Sequence, residues 1–513
     1  MLRHKPVVTY SGLTIILSNP SRFDTVRLLT AGGGHILNDF CLRPDMNVMQ
    51  CDVRVADDAS PLLPNTKCIL LLGEYAMHKY LPLTRKNTLN EMRGSLSEWN
   101  GVPAIPSYFP QDAADPKDFE SQFNSGNRSS LEEETGEDEK SYSNTSRSNY
   151  AFWLRADVRK CKYILKNGKP IPEPEPVYVN YPSSQDLIKI LTETKGQFMD
   201  FDIETDYEEQ NLQCFSFTFD GRTVYNVPVL DHRYLPSYSS LPFIMRALTV
   251  AIRDNTLVAH NGATFDFVVL GYKYRIPVYK VYDTMVAMHR CFPTVEKSLG
   301  HCTSYWTWQP FHKDEDSRGY MTPEQVNQRM KYCGKDVFTM HLIRKAITSY
   351  AKTIPGLEHS IDTAMRSITP YVTSALQGIR YDEELRQKLR YENDRLMEQY
   401  LRIIKILIGD KGMEDVQSCI KGKAGAFPGS NKQCVEYFHN ILGYPIVARN
   451  PPDKNNVRNP SLAKKAMFKL RLKHENPVID ICNAYRGVAL ETSTPLGFYP
   501  WRNDEGKINY ATT

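Results

Sequence analysis

Residues able to do metal or acid–base chemistry gather in three places along this 513-residue chain. In Phe198-Met199-Asp200-Phe201-Asp202-Ile203-Glu204 the alternation predicts a strand over Gln197 to Thr205. Met199, Phe201 and Ile203 share one face, and Asp200, Asp202 and Glu204 share the other. Two carboxylates about 7 Å apart on one strand face can grip divalent cations. D-x-E recurs at Asp118/Glu120, Asp206/Glu208 and Asp382/Glu384, where a solvated surface is the ordinary reading, so the spacing alone selects no site. The second place is His260-Asn261-Gly262-Ala263-Thr264-Phe265-Asp266, which sets Asp266 in the first turn of a helix. A carboxylate there also serves simply to stabilise the helix dipole. In the third, Tyr332 and Asp336 stand at i and i+4, so phenol and carboxylate share a helix face.

The elements that must position these groups are legible around them. Phe215, Phe217 and Phe219 alternate with Ser216 and Thr218, Asp220-Gly221 supplies a turn with positive φ, and Thr223 to Val229 returns as a hairpin. A helix over about Leu241 to Arg253 leads to the strand Thr256-Leu257-Val258-Ala259, and another helix opens at Thr264. Thr322-Pro323-Glu324-Gln325 reads as a capping box with Pro at the first helical position, starting a helix to about Ser349. Three antiparallel strands followed by alternating helices and parallel strands meet the requirements of a ribonuclease-H-like fold.

In this order the three places resemble the motifs of the DEDD 3′–5′ exonuclease superfamily, in its tyrosine-bearing branch. Phe201-Asp202-Ile203-Glu204-Thr205 is similar to the first motif, Asn261 through Phe265-Asp266 to the second, and Tyr332-Cys333-Gly334-Lys335-Asp336 to the third. Asp283-Thr284-Met285 also follows the family pattern. The resemblance implies that Asp202, Glu204, Asp266 and Asp336 hold two Mg²⁺ or Mn²⁺ ions, hard cations that prefer oxygen ligands. It further implies that Tyr332 orients the attacking water, and that Thr205, Asn261 and Phe265 position the terminal nucleotide. Phe265 also reads as plain core.

From about Ile361 the chain resembles the region joining exonuclease to polymerase in family A DNA polymerases. Gly378-Ile379-Arg380-Tyr381-Asp382 is similar to the start of that region, and Phe427-Pro428-Gly429-Ser430-Asn431-Lys432-Gln433 to its thumb segment, with Phe427 in place of the usual Asn. Tyr485-Arg486-Gly487 with Ser493-Thr494 resembles the helix leading into the palm, and Gly506-Lys507-Ile508 the strand after it. Where the family often has lysines, this chain reads Val488-Ala489-Leu490-Glu491-Thr492. Residues 401 to 480 hold 14 Lys and Arg against 7 Asp and Glu, a net +7. Such charge suits DNA contact through Ser430, Lys432, Gln433, Lys464, Lys465 and Arg486. The sequence stops at Thr513, where the family continues into its palm. The resemblance thus implies no polymerase activity from this chain alone, with palm and fingers on a separate chain or lost by truncation.

Residues 1 to about 165 resemble the uracil-DNA glycosylase superfamily, of a kind fused to some phage family A polymerases. The matching pieces are Ile69-Leu70-Leu71-Leu72-Gly73 with Ala76, Arg93-Gly94, Val102 to Pro110, and Trp153 to Lys160. Phe109 stands where active members carry His, and the water-activating motif is unrecognisable in Ser18-Asn19-Pro20-Ser21-Arg22-Phe23-Asp24. Loss of the anion stabiliser predicts a binding or scaffolding domain, one that would meet DNA or a replisome partner. A generic strand-turn-helix domain is the other reading. Gly32-Gly33-Gly34 lacks the Lys-Ser/Thr of a P-loop and reads as a turn.

Composition bounds the rest. With 41% apolar and 24% charged residues the chain is an ordinary globular protein, and its length suggests about three domains. These are read as an α/β glycosylase-like domain (1–165) with a disordered acidic insertion (121–148), a proline-rich linker (166–176), the exonuclease (177–352) and a helical thumb-like region (353–513). The 63 basic against 59 acidic residues are too evenly balanced to announce a nucleic-acid partner. No apolar run approaches the ~20 residues that span a bilayer, and the N-terminus has no secretory pattern. Eleven cysteines without a CxxC read as reduced thiols. The expected location is the cytoplasm, a host's if the chain is phage-encoded. The functional expectation is a proofreading 3′–5′ DNA exonuclease. The alternatives are a freestanding RNA or DNA trimming exonuclease and a DNA-clamping or assembly subunit of a replisome.

Overall fold

The computed structural model describes residues 10–18, 37, 41–46, 48–83, 87–110, 137–206, 210–315, 319–380, 382–418, 427–450, 459–493 and 507–508, with backbone alone for 137–148, 379–380, 417–418, 493 and 507–508. Gly32-Gly33-Gly34, residues 19–24 and residues 121–136 lie outside them. The fold is mixed α/β with two main sheets, and the chain divides into two compact units, 1–376 and 377–513.

The first sheet runs β2-β1-β3-β5-β4, built from β1 (Leu13–Leu17), β2 (Asp52–Val55), β3 (Cys68–Leu72), β4 (Ser97–Trp99) and β5 (Val102–Ser107). All pairs are parallel except β4 with β5. Every residue of β3 is buried, because its two faces serve two cores. Ile69 and Leu71 meet Ala76, Met77 and Leu81 on the side of α1 (Glu74–Tyr80). After a one-turn helix, α2 (Leu89–Met92), comes α3 (Glu137–Asn167), whose Leu154, Val158, Cys161 and Ile164 pack with Leu70, Leu72 and Ile105. Its first residues, 137–148, belong to the stretch read as disordered; there the backbone is helical. Glu137, Glu139 and Lys140 are good helix formers, and the stretch continues the helix that Leu154, Val158, Cys161 and Ile164 anchor to the core.

The second sheet runs β11-β10-β7-β8-β9-β6. Its strands are β6 (Val177–Asn180), β7 (Phe198–Thr205), β8 (Leu212–Thr218), β9 (Thr223–Pro228), β10 (Thr256–Ala259) and β11 (Val281–Asp283). Strands β7, β8 and β9 form the antiparallel meander expected from the sequence, with Gly221 at φ +70° in the turn. Strands β10 and β11 add in parallel beside β7, as a ribonuclease-H-like fold requires. The helices of this part are α4 (Ser184–Glu193), α5 (Leu241–Asp254), α6 (Asp266–Tyr274), α7 (Thr284–Cys291), α8 (Leu299–Trp306) and α9 (Pro323–Ala351). Helix α9 starts at the predicted capping box of Thr322 and Gln325 and crosses β7, β8 and β9. A Cβ on Gly334 would fall 2.4 Å from Asn226 Oδ1, so only glycine allows this approach.

Helix α10 (Leu357–Gln377) places the division of the chain later than the Pro355-Gly356 seam. The helix belongs with the sheet: Met365 Sδ accepts from the Asp283 N–H at 3.1 Å, and the Thr369 hydroxyl donates to the Tyr279 carbonyl at 3.1 Å. The turn at 355–356 is thus a corner between packed helices. Nor does the proline-rich stretch stand clear as a spacer, because Glu173 accepts from the Trp308 N–H at 2.8 Å and from the Gln309 amide at 2.9 Å. The second unit contains α11 (Glu383–Ser418, interrupted at Gly409), α12 (Asn431–Val435), α13 (Lys464–Lys473) and α14 (Pro477–Ser493). It also holds a two-stranded ribbon, β12 (Ile379–Arg380) with β13 (Lys507–Ile508).

A buried polar cluster ties α3 to the second sheet's helices. Arg93 and Asp157 pair at 2.6 Å with almost no exposure, and the Ser107 hydroxyl donates to Asp157 at 2.6 Å. Lys160 Nζ donates to the carbonyls of Gly94 and Thr307, both at 2.8 Å. Burial pushes its pKa down to about 7. Removing one partner of a buried pair strands the other charge, so Asp157→Ala should cost about 3–5 kcal/mol in chemical denaturation. The depressed Lys160 amine binds fewer protons folded than unfolded above pH ~7, so folding gains about 1.4 kcal/mol per pH unit from this group up to pH ~10. Denaturation across that range should show the rise in the wild type, and Lys160→Met should lack this component.

Candidate active site

Strand β7 delivers the first two carboxylates. Its alternation buries Met199, Phe201 and Ile203 and leaves Asp202 and Glu204 half-buried on the opposite face. The register against β8 shifts between Glu204 and Thr205, an irregularity of the kind that re-aims a side chain at a strand end. Asp336 comes from α9. One carboxylate oxygen each from Asp202, Glu204 and Asp336 lies within 4.8 Å of the others. Three hard oxygen donors at this separation fit a divalent cation such as Mg²⁺ or Mn²⁺.

The other predicted residues surround this group. Asp266 opens α6, and its Oδ1 accepts from the Ile203 N–H at 3.2 Å. It is therefore bound to the backbone between Asp202 and Glu204, and stands beside the three-oxygen group without belonging to it. Burial raises its pKa to about 7. Burial also holds the Asp202 carboxyl well above its ordinary range, with the charges of Asp266 and Asp336 adding to the effect. For Asp336 burial pushes the same way, but Lys313 and His312 reverse it and the carboxyl lies below its ordinary value. Tyr332 stays a neutral phenol, because burial and the Asp336 charge both raise its pKa.

The loop carrying Asn261 and Phe265 is fixed by a residue whose role the sequence left open. The buried Asp283 carboxylate accepts from the N–H groups of Asn261 (3.1 Å), Met285 (2.9 Å) and Val286 (3.2 Å). It thus caps α7 and holds the preceding loop together. Asn261 takes φ +65°, a left-handed conformation that Asn tolerates. Phe265 is half-buried at the start of α6. Thr205 is buried, its carbonyl accepting from Arg329 at 3.2 Å. Asp200 faces the same side as Asp202 and Glu204 but is committed to structure, pairing with Arg344 (2.7 Å) and His341 (2.8 Å) of α9.

Sequence reasoning missed three residues. Lys313 Nζ donates to the Tyr332 hydroxyl at 2.9 Å and also to Asp336. His312 Nε2 meets Asp336 Oδ1 at 2.8 Å. Arg329 pairs with Glu204 Oε2 at 2.9 Å. Arg329 stands three residues before Tyr332 on the same helix face, a spacing that carried a signal. Lys313 and His312 lie in a loop, where no periodicity announces them.

The predicted thumb residues lie apart in sequence, in the second unit. Ser430 caps α12 by accepting from the Gln433 N–H at 3.4 Å, and Gln433 is buried. Both therefore have structural work within that unit. Arg486 donates to the Leu462 carbonyl at 3.0 Å and to Asn431. Lys432, Lys464 and Lys465 are exposed.

Comparison with known proteins bears on the region that holds these residues. Residues 181–351 match the family model described as 3′–5′ exonuclease, of the DNA polymerase A kind, so the chain contains such a domain. No curated protein matches the chain. Among solved structures, the chain is similar at 13% identity and TM-score 0.43 to the POL domain of Pol1 from M. smegmatis in complex with DNA primer-template and dNTP. That match covers 64% of this chain and 51% of the other. It is similar at 13% identity and TM-score 0.30 to the catalytic core of RRP6 from Trypanosoma brucei, covering 38% of this chain and 52% of that one. This chain thus spans about half of each, and both scores are too low to define a shared fold.

A cation bound by Asp202, Glu204 and Asp336 must compete with Lys313 for Asp336. Lys313→Met removes that competing charge, and Mn²⁺ titrated by calorimetry should bind about tenfold more tightly, a change of ~1.4 kcal/mol that is modest beside the Coulomb energy of such a pair. Unchanged or weaker binding would contradict the competition.

Proposed function

We propose that this chain is a metal-dependent 3′–5′ DNA exonuclease that serves as the proofreading part of a family A DNA polymerase. The observation that carries the reading is the convergence of Asp202, Glu204 and Asp336 within a region matching a 3′–5′ exonuclease family model. Asp202, Glu204 and Asp336, with Asp266 alongside, are the residues that would hold two Mg²⁺ or Mn²⁺ ions. Such ions supply an acidified water and charge neutralisation for in-line phosphodiester hydrolysis. The protein's own groups arrange the rest. Tyr332, kept neutral and held by Lys313, can hydrogen-bond a water without acting as its base. The loop pinned by Asp283 presents Asn261 and Phe265, which with Thr205 would set the terminal nucleotide against the carboxylates.

The polymerase association rests on the thumb-like residues. The pairing of β12 with β13 joins the two segments read as the start and end of that region, and exposed Lys432, Lys464 and Lys465 suit a phosphate-tracking surface. The glycosylase-like reading of residues 1–165 is kept as a binding domain without base excision. It is supported by the largely parallel sheet and by Leu154 and Val158 entering its core beside β3 and β5.

Incubation with 3′-labelled DNA and RNA in Mg²⁺ tests the reading. Wild type should release mononucleotides, preferentially from DNA, and Asp202→Ala/Glu204→Ala should lower the rate by at least ~10³-fold, the scale of losing transition-state charge stabilisation. Equal release by the variant would overturn the assignment, and preference for RNA would favour a trimming enzyme.

A further inference from the structure

Residues 307–315, between α8 and α9, form neither helix nor strand, yet they carry His312 and Lys313 to Asp336 and Tyr332. A lysine reaches its partners on a flexible four-carbon stem, so its ammonium is only as well placed as the backbone beneath it. What the segment packs on must set that backbone.

Most of that support comes from the first domain. Lys160 of α3 donates to the Thr307 carbonyl at 2.8 Å. Trp308 packs against the core that the first sheet shares with α3, its ring centre 5.5 Å from that of Tyr163. Three residues on, Phe311 packs against the core on the other face of that sheet, which includes Ile69, Leu71 and Met77. Asn87, only 2% exposed, then donates from Nδ2 to Asp314 Oδ2 at 2.8 Å. From the exonuclease side α9 holds the end of the segment, where Glu315 pairs with Lys335 and its carbonyl accepts from the Gln328 amide at 2.6 Å.

The contacts alternate in a way that suits leverage. Phe311 and Asp314 engage the first domain, and the two residues between them engage the carboxylate site. A shift of the first domain's surface at Asn87 would therefore be felt one residue away, at the lysine that holds the Tyr332 phenol.

We propose that the first domain is a working part of the exonuclease site, in which Asn87, acting through Asp314, is a positioning residue for Lys313 and thereby for Tyr332 and Asp336. The role of the positioned groups rests on the exonuclease reading; the positioning itself does not.

The test uses the full chain with a fluorotyrosine in place of Tyr332, in EDTA, and reads its fluorine NMR resonance. Lys313→Met marks the shift of a phenol without its ammonium partner. Asn87→Ala and, at an exposed position less able to disturb folding, Asp314→Ala should each move the resonance part of the way there. Asn87→Asp with Asp314→Asn rebuilds the bond with donor and acceptor exchanged, and should return the resonance to the wild-type position. In the Lys313→Met background, Asn87→Ala should move nothing. A purely structural role for Asn87 would lower the folded fraction and leave the folded state's shift in place. A resonance unmoved by both alanine variants, or moved just as far in the Lys313→Met background, would overturn the proposal. Calorimetry reads the same coupling at the carboxylates: Asn87→Ala should tighten Mn²⁺ binding about threefold, a part of the tenfold expected of Lys313→Met, and should add nothing to that variant. The fluorine measurement needs neither metal nor substrate, so it decides the positioning even if the wild type binds no Mn²⁺, a result that would count against the exonuclease reading instead.

Discussion

Mutual repulsion among Asp202, Glu204 and Asp336 is the constraint on which the exonuclease part depends. At separations of 4.8 Å or less each pair of unit charges would repel by about 3–4 kcal/mol or more in a medium of effective dielectric ~20, which with burial holds the Asp202 carboxyl above its ordinary range. The fold meets this by fixing the backbone behind each group and setting cations at the rim. Lys313 and His312 meet Asp336, and Arg329 meets Glu204. A cavity so charged favours an ion that replaces these partners, which is how a structural strain becomes a binding function.

Helix α9 has most of the responsibility for this arrangement. It supplies Arg329, Tyr332 and Asp336 to the site, and over the next two turns gives His341 and Arg344 to Asp200. Strand β7 is therefore clamped to α9 by ion pairs at both ends of the run from Asp200 to Glu204. Gly334 and Asn226 set the distance between helix and sheet. Asp283 does the same for the loop at 260–264, its carboxylate joining the Asn261 N–H of that loop to the Met285 and Val286 N–H groups of α7. The site's precision thus comes from rigid elements and not from the length of the carboxylate side chains.

Much of this is readable in the residues. Alternation at 198–204, the Asp220-Gly221 turn and the box at Thr322 are local signals, and local physics decides them. The pairing of Arg93 with Asp157, the support of Glu173 by Trp308 and Gln309, and the approach of Lys313 to Tyr332 join residues far apart in sequence. Charge type alone cannot show such contacts. The seam at Pro355-Gly356 fails as a boundary for a related reason: a helix break marks a corner, and only packing of α10 on β11 shows to which body the next helix belongs. Asp200 makes the same point inside the site. It shares a strand face with Asp202 and Glu204, yet its partners on α9 take it out of the chemistry.

The most direct test of the account is a crystal of the wild-type protein soaked in Mn²⁺, with anomalous scattering used to locate the ion. The account predicts a peak bounded by the carboxylates of Asp202, Glu204 and Asp336, with Lys313 displaced from Asp336. A fully occupied Mn²⁺ elsewhere, with Asp336 still bound to Lys313 and Glu204 still bound to Arg329, would contradict it.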